Sequence, residues 1–444
     1  MVDAADLKAT AWEAIDAAAD HIMAFARDVE AHPELGFKET RTTERVIAEF
    51  EALDLAVETP LAVTGARATD GDPDAFTVAV LGELDALINP DHPKADATTG
   101  AVHACGHHAQ LAQLVGAAIG LSGNGITDHL GGTVEYVAVP AEEYLDLSFR
   151  RELHEAGDIE FFGGKQELIR RGDTDHWDAA LMMHAGSDTP DRVVTSDFST
   201  NGFVGKFVTY HGEEAHAGAA PEEGVNALNA AMLGLSAVHA NRETFADEDH
   251  VRVHPIMTAG GEGVNVVPAT ARLESYVRAR DVEAITRANA ATNRALTAGA
   301  MGVGATVTIE DHPGYMPLRS DPTMVSAYDA NARELLGPDA VQAGGSHLSG
   351  STDMGDITQV VAGIHPWTGG YRGAIHARDF EVVDAEMALL VPAKLTAATV
   401  IDILTDPDAQ EAIAGANEQK LARSSYLEQV RGMRSVQERS FIHD

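Results

Sequence analysis

Three stretches of the chain are apolar with almost no alternation: FTVAVLGEL (76–84), GGTVEYVAVP (131–140) and WDAALMMHAG (177–186). Runs of that length read as strands covered on both faces. Between the first two lies LAQLVGAAIGL (111–121), apolar enough for a helix buried against a sheet. Strand, helix and strand in that order predict a βαβ unit and a parallel sheet. Upstream, residues 11–57 have a helical period through Ile15, Ile22 and Phe25, a break at HPELG, then a second run through Val46, Ile47 and Phe50.

From about residue 200 the texture changes. GFVGKFVTYHG alternates like a half-covered strand, and GVNALNAAMLGLSAVHA (224–240) follows as a helix. Strand-like VRVHPIM and ARLESYVRAR, a helix over 281–300 and ATVTIEDH complete a β-α-β-β-α-β order, the ferredoxin-like pattern. The expected fold class is therefore α/β: a mostly parallel-sheet domain with helices on both faces, formed by 1–199 and 314–444. A small α+β domain is inserted at 200–313. The tail after 415 is expected to add a helix.

Composition narrows the function classes. The 444 residues hold 69 acidic against 31 basic side chains, a formal net charge of −38, and only seven of the basics are lysine. Such a field repels nucleic acid and anionic membranes, so neither is expected as a partner. The acids are spread along the chain, which reads as adaptation to high salt rather than as a cation-recruiting patch. No uninterrupted apolar run approaches the roughly 20 residues of a membrane helix. The first residues are acidic and lack the basic-then-apolar order of a secretory signal. Cys105 is the single cysteine, which excludes an intrachain disulfide and predicts a reducing, cytoplasmic setting.

The chemistry gathers where the strands end. In LGELDAL, Glu83 and Asp85 stand two apart and so share a strand face. HACGH sets Cys105 and His107 two apart in a loop entering the buried helix. VPAEE supplies Glu142 and Glu143 directly after a strand, MMH adds His184 and IHARDF adds His376. Ligands of open α/β sheets collect at the carboxyl ends of strands. Thiolate, imidazole and carboxylate together suit zinc, manganese or cobalt. Two such ions can polarise an amide carbonyl, and one more carboxylate is then needed to move protons. Glu142 and Glu143, being adjacent, point opposite ways on an extended chain, so one can ligate while the other acts as base.

The order HPELGF, LGELDAL, HACGH, VPAEE, MMH, HAGAAPEEGVNAL, NVVP with a following VRA, GSTDMGD and IHARDF resembles the metal-dependent amidohydrolases of the aminoacylase and carboxypeptidase family. It is most similar to the branch of aminobenzoyl-glutamate, N-acyl-amino-acid and β-alanyl-dipeptide hydrolases. The motifs span residue 33 to about 380. The resemblance implies two divalent ions held by Cys105 as a shared ligand with His107, Glu143, His184 and His376. It implies Glu142 as general base and Asp85 as the carboxylate that orients His107. Glu83 stands where other branches place a metal-binding histidine. His216, in the inserted lid domain, would stabilise the oxyanion across a homodimer, and Asn265, Arg278, Gly350 and Ser351 would bind the substrate. The implied substrate is a small amide or dipeptide.

Two positions depart from the family pattern: His108 replaces the usual Asp or Asn, and Gln110 replaces a histidine. The run YLDLSFRRELHEAGDIE (144–160) reads as an insertion beside the site. These departures motivate a different-class alternative, a catalytically inactive protein that binds metal and an amino-acid derivative. A third reading makes Cys105 a nucleophile with His107 as its base, although a Cys-x-His pair is more naturally a chelate.

Overall fold

The computed structural model describes residues 3–72, 74–186, 192–342 and 344–442. The chain divides into two units. One comprises Met1–Ser199, Arg319–Ser346 and Asp356–Arg423; the other comprises Thr200–Leu318, His347–Gly355 and Ser424–Asp444.

The first unit is built on a six-stranded sheet in the order Ala56–Leu61, Gly65–Asp70, Gly132–Val139, Phe76–Glu83, Ala179–Met182, Ala362–Ile364. The last four strands are mutually parallel, and the first two form an antiparallel edge. Helix His107–Leu121 is buried along nearly its whole length, as its all-round apolar sequence demands. Leu111, Leu114, Val115 and Leu121 are essentially inaccessible, each contributing about 1.5–3 kcal/mol by leaving water. Against it pack Ala4–Ala17, Ala19–Glu30 and Val391–Thr405. Glu386–Thr405 forms a 20-residue apolar helix that could cross a membrane by length and composition, yet 89% of its most apolar window is buried within the protein. Pro392 and Lys394 interrupt its apolar run in the sequence.

Register is what positions the site. Glu83 pairs with Val139, and Leu81 pairs with Met182. The three neighbouring strands therefore finish level with one another, and the residues that follow emerge side by side.

The second unit has a five-stranded antiparallel sheet in the order Arg252–Ala259, Thr270–Ala279, Gly202–His211, Thr306–Pro313, Ser435–Ser440. Helices Ala227–Asn241 and Val282–Val303 bury their apolar stripes with Val208, Leu273, Val277 and Ile309. The first four strands follow the expected ferredoxin-like order.

Three segments assigned from sequence to the first domain lie in the second unit. Residues 314–318 continue the sheet, where Phe203 N–H donates to the Tyr315 carbonyl at 2.8 Å. Residues 347–355 are tied to it by His347 Nε2 and Asn201 Oδ1 at 2.9 Å and by Arg278 Nη1 and Ser351 Oγ at 2.8 Å. The tail is not only a helix: after Arg423–Gly432 it turns into the strand Ser435–Ser440. SVQERS is polar, and its amides find partners on the strand Thr306–Pro313.

Candidate active site

Every donor group expected in the first unit meets there. Gly106, at φ +93°, completes the turn between the short strand Ala101–Val102 and the helix that begins at His107. A side chain at Gly106 would also meet the Ala185 methyl at 2.8 Å. That turn puts Cys105 at the amino end of a helix, where the dipole favours a thiolate. The IHARDF loop is drawn in because His376 N–H donates to the Ala104 carbonyl at 2.8 Å. Ala141 and His376 both adopt left-handed backbone, φ +56° and +69°. Strained non-glycine residues cluster where the surrounding structure dictates a side-chain direction.

The donor atoms form overlapping triads among the described residues. Cys105, His107 and His184 lie within 4.8 Å of one another, as do Cys105, Glu143 and His376, and Glu83, His107 and Glu142. Cys105 belongs to two of them. Its Sγ is 3.5 Å from His184 Nε2. His184 and His107 are both oriented through Nδ1, His184 toward the Ala185 carbonyl at 2.9 Å and His107 toward the Asp85 carbonyl at 2.8 Å. The Nε2 atoms are thereby turned to the cluster, the usual tautomer of a ligating imidazole. Asp85 orients His107 chiefly through its main chain. Its carboxylate lies 3.4 Å from His107 Nδ1 and accepts the Glu143 amide at 2.9 Å.

His107 Nε2, Glu83 Oε2 and Glu143 Oε1 are buried without a hydrogen bond, although His107 Nε2 is 3.1 Å from Glu83 and His376 Nε2 is 3.2 Å from Glu143. Orphaned buried atoms of this kind call for a ligand. Soft sulfur, three imidazole nitrogens and carboxylate oxygens fit a first-row divalent ion.

The electrostatics agree. Burial and the Glu143 carboxylate push the Cys105 thiol up, but His184, His107 and His376 bring it down to about 6. Glu143 holds the His376 imidazole far above its ordinary range, against burial. Burial alone would raise Glu83, yet Lys165, then His107 and His184, keep it ionised. The pocket thus keeps its anions charged and draws positive charge to them.

Several contributors were not singled out from the sequence. Lys165 Nζ donates to Glu83 Oε1 at 2.6 Å with both side chains buried. His365 follows the Ala362–Ile364 strand; its ring centroid is 5.2 Å from that of His184, and burial lowers its pKa to about 3. A histidine at a strand end was the available signal. Glu39 accepts the Ala141 amide at 2.8 Å, and burial followed by the Asp85 charge raises it to about 8. Gln110 now has an explanation: its Oε1 accepts Glu83 N–H at 2.5 Å and its Nε2 donates to the Met183 carbonyl at 2.6 Å. It ties together the ends of two strands that carry site residues. His108 instead faces Glu30, 3.9 Å from Nε2, and the His103 ring at 5.5 Å.

The remaining sequence-derived residues lie in the second unit. His216 is exposed, and its Nδ1 accepts the amides of Gly218 and Ala219 at 3.2 and 3.1 Å. Ala217 N–H donates to the Asn265 carbonyl at 3.0 Å, so the HAGAAP and NVVP loops are joined. Arg278 stacks over Phe203 and Tyr276, 5.2 and 5.3 Å from their centroids, besides bonding Ser351. Gly350 is exposed, with open space around it.

An α/β unit whose parallel strands end on a buried cluster of thiol, imidazole and carboxylate defines a metal-dependent hydrolase. Residues 79–401 match the model of Peptidase family M20/M25/M40, and the chain belongs to that family. It is a hydrolase acting on amide bonds. Among curated relatives, the Xaa-Arg dipeptidase of Mus musculus is 30% identical over 442 residues, covering 95% of this chain and 94% of its own. The N-acetylcysteine deacetylase of Bacillus subtilis is 26% identical, covering 77% and 86%. A dinuclear metal-binding M20 peptidase from Bacillus subtilis superposes with a TM-score of 0.66 at 23% identity, covering 88% of this chain and 99% of its own. At that identity the match speaks for the fold.

Proposed function

We propose that the protein hydrolyses the amide bond of N-acyl amino acids or dipeptides, with two divalent ions held by Cys105, His107, His184, Glu143 and His376. The observation that carries this reading is the pair of donor triads sharing Cys105, with Glu142 in a third triad beside them. Ions of the zinc, manganese or cobalt class, when bound, would polarise the scissile carbonyl and acidify water. Glu142, 8% exposed, removes a proton from the water as its oxygen adds to the carbonyl carbon. It returns that proton to the nitrogen as the C–N bond breaks, so the carboxylate ends as it began. Arg278 and Ser351 receive the substrate's carboxylate, for which a planar guanidinium is suited. His216, with Asn265, stabilises the oxyanion across a homodimer.

The printed activities of the relatives, an Xaa-Arg dipeptidase and an N-acetylcysteine deacetylase, set the panel to try: Xaa-Arg dipeptides and N-acetyl amino acids. A thiol ligand requires reducing surroundings, in keeping with a cytoplasmic enzyme. The homodimer reading is supported by the second unit, which exposes Met232, Leu233, Ile256 and Met257; light scattering reads the mass. For the mechanism, Glu142→Gln should retain metal while kcat falls roughly 100- to 10,000-fold. Wild-type turnover in that variant would remove Glu142 as the base.

A further inference from the structure

The 144–160 run is more than a surface insertion. It folds into the helix Leu147–Ala156, whose Arg150 is 1% exposed. The guanidinium lies beneath the turn that carries Glu142 and Glu143. Its Nη1 donates to the Phe162 carbonyl and, at 3.5 Å, to the Ala141 carbonyl; its Nη2 donates to the Glu143 carbonyl. The rings of Phe37 and Tyr144 flank it at 5.4 and 5.9 Å.

The partner segment is shaped for this arginine. A side chain at Gly36, in HPELGF, would sit 2.5 Å from Arg150 Nη2 and 3.0 Å from Ala141. Two residues on, Lys38 bonds Asp146 at 2.7 Å and lies 4.1 Å over the Phe149 ring, docking the same helix from its exposed side. The guanidinium offers five donors in a rigid plane. By holding the carbonyls on both sides of Glu142 it fixes the peptide planes there, and with them the left-handed φ of Ala141.

We propose that Arg150 is a positioning residue for the hydrolytic site. The inserted segment carries a cation under the Ala141–Glu143 turn and sets the direction in which Glu142 and Glu143 leave the sheet. This rests on the reading of Glu142 as base.

The test compares metal-loaded Arg150→Met, Arg150→Lys, Lys38→Met and Glu142→Gln in the full chain, using the best substrate of the dipeptide and N-acetyl panel. Misplacing a catalytic group by about an ångström costs on the order of 100-fold. Arg150→Met should lose about that much in kcat with KM within roughly threefold, while circular dichroism and metal content per chain stay at wild-type values. Arg150→Lys, a point charge reaching fewer carbonyls, should recover part of the loss, and added guanidinium ion should restore part of it in Arg150→Met. Lys38→Met, which loosens the helix but leaves the fork intact, should stay within about threefold of wild type. Should Arg150→Met fail to fold, Arg150→Lys against Lys38→Met still decides. Equal kcat losses in those two would make the effect one of helix docking and overturn the proposal, as would unchanged kcat in Arg150→Met. If Glu142→Gln keeps wild-type turnover, the base assignment fails, whatever the arginine variants do.

Discussion

Gln110→Met keeps the length of the side chain and removes both of its hydrogen bonds. In the wild type those bonds satisfy the Glu83 amide and the Met183 carbonyl at 2.5 and 2.6 Å in a site 2% exposed. Each orphaned buried main-chain group costs about 1–3 kcal/mol. Burying a thioether instead of an amide offsets about 1 kcal/mol of the total. A net loss of about 2–4 kcal/mol is therefore expected. The assay is urea unfolding followed by tryptophan fluorescence. All three tryptophans, Trp12, Trp177 and Trp367, lie in the first unit, so the signal reports that unit without the other. Because Gln110 joins the ends of strands leading to Glu83 and His184, metal affinity should fall with stability, by about tenfold as expected for an outer-shell partner. A loss below 1 kcal/mol at unchanged denaturant slope, with metal affinity intact, would refute the clamp.

Metal-free protein should show thiolate absorbance with a midpoint near 6, against about 8.5 for an unperturbed cysteine, and His184→Ala should move it up. The folded value lies below the unfolded one, so this group's contribution to stability is complete above about pH 8.5 and is lost as pH falls through about 6; a midpoint of 8 or more contradicts the site electrostatics. With a net charge of −38, raising salt from 0.1 to 1 M shortens the screening length from about 10 to 3 Å. It should raise the unfolding midpoint by roughly 5 °C or more, equivalent to about 3–5 kcal/mol at an unfolding entropy of about 2 cal/mol/K per residue. A flat profile in calorimetry would dismiss the high-salt reading.

Much of this was legible in the sequence because it is carried by local pattern. Continuous apolar runs gave the parallel strands; alternation gave the second sheet; donor residues just past strand ends gave the cluster, since parallel register brings such ends level. The tail strand was missed because SVQERS is short and polar, and becomes a strand only against the Thr306–Pro313 edge that receives it. The same limit explains the unread parts of the site. Nothing local distinguishes Lys165 from a surface lysine or Arg150 from its neighbour Arg151, and the difference between them is made by distant chain segments.

Three of the supporting side chains do the same physical work. Gln110, Lys165 and Arg150 bond to Glu83, to Met183 next to His184, or to the carbonyls beside Glu142, and each is essentially buried. A buried cluster of carboxylates, imidazoles and one thiol keeps its geometry only if hydrogen-bonding groups that cannot relax into water hold it from outside. Gln110 and the 144–160 run, read from the sequence as departures from the family pattern, both supply such groups. Departures from a motif beside a site are therefore poor evidence that the site is lost. Here they are part of what holds it, which weighs against a chain that keeps the metal-binding residues but has abandoned catalysis.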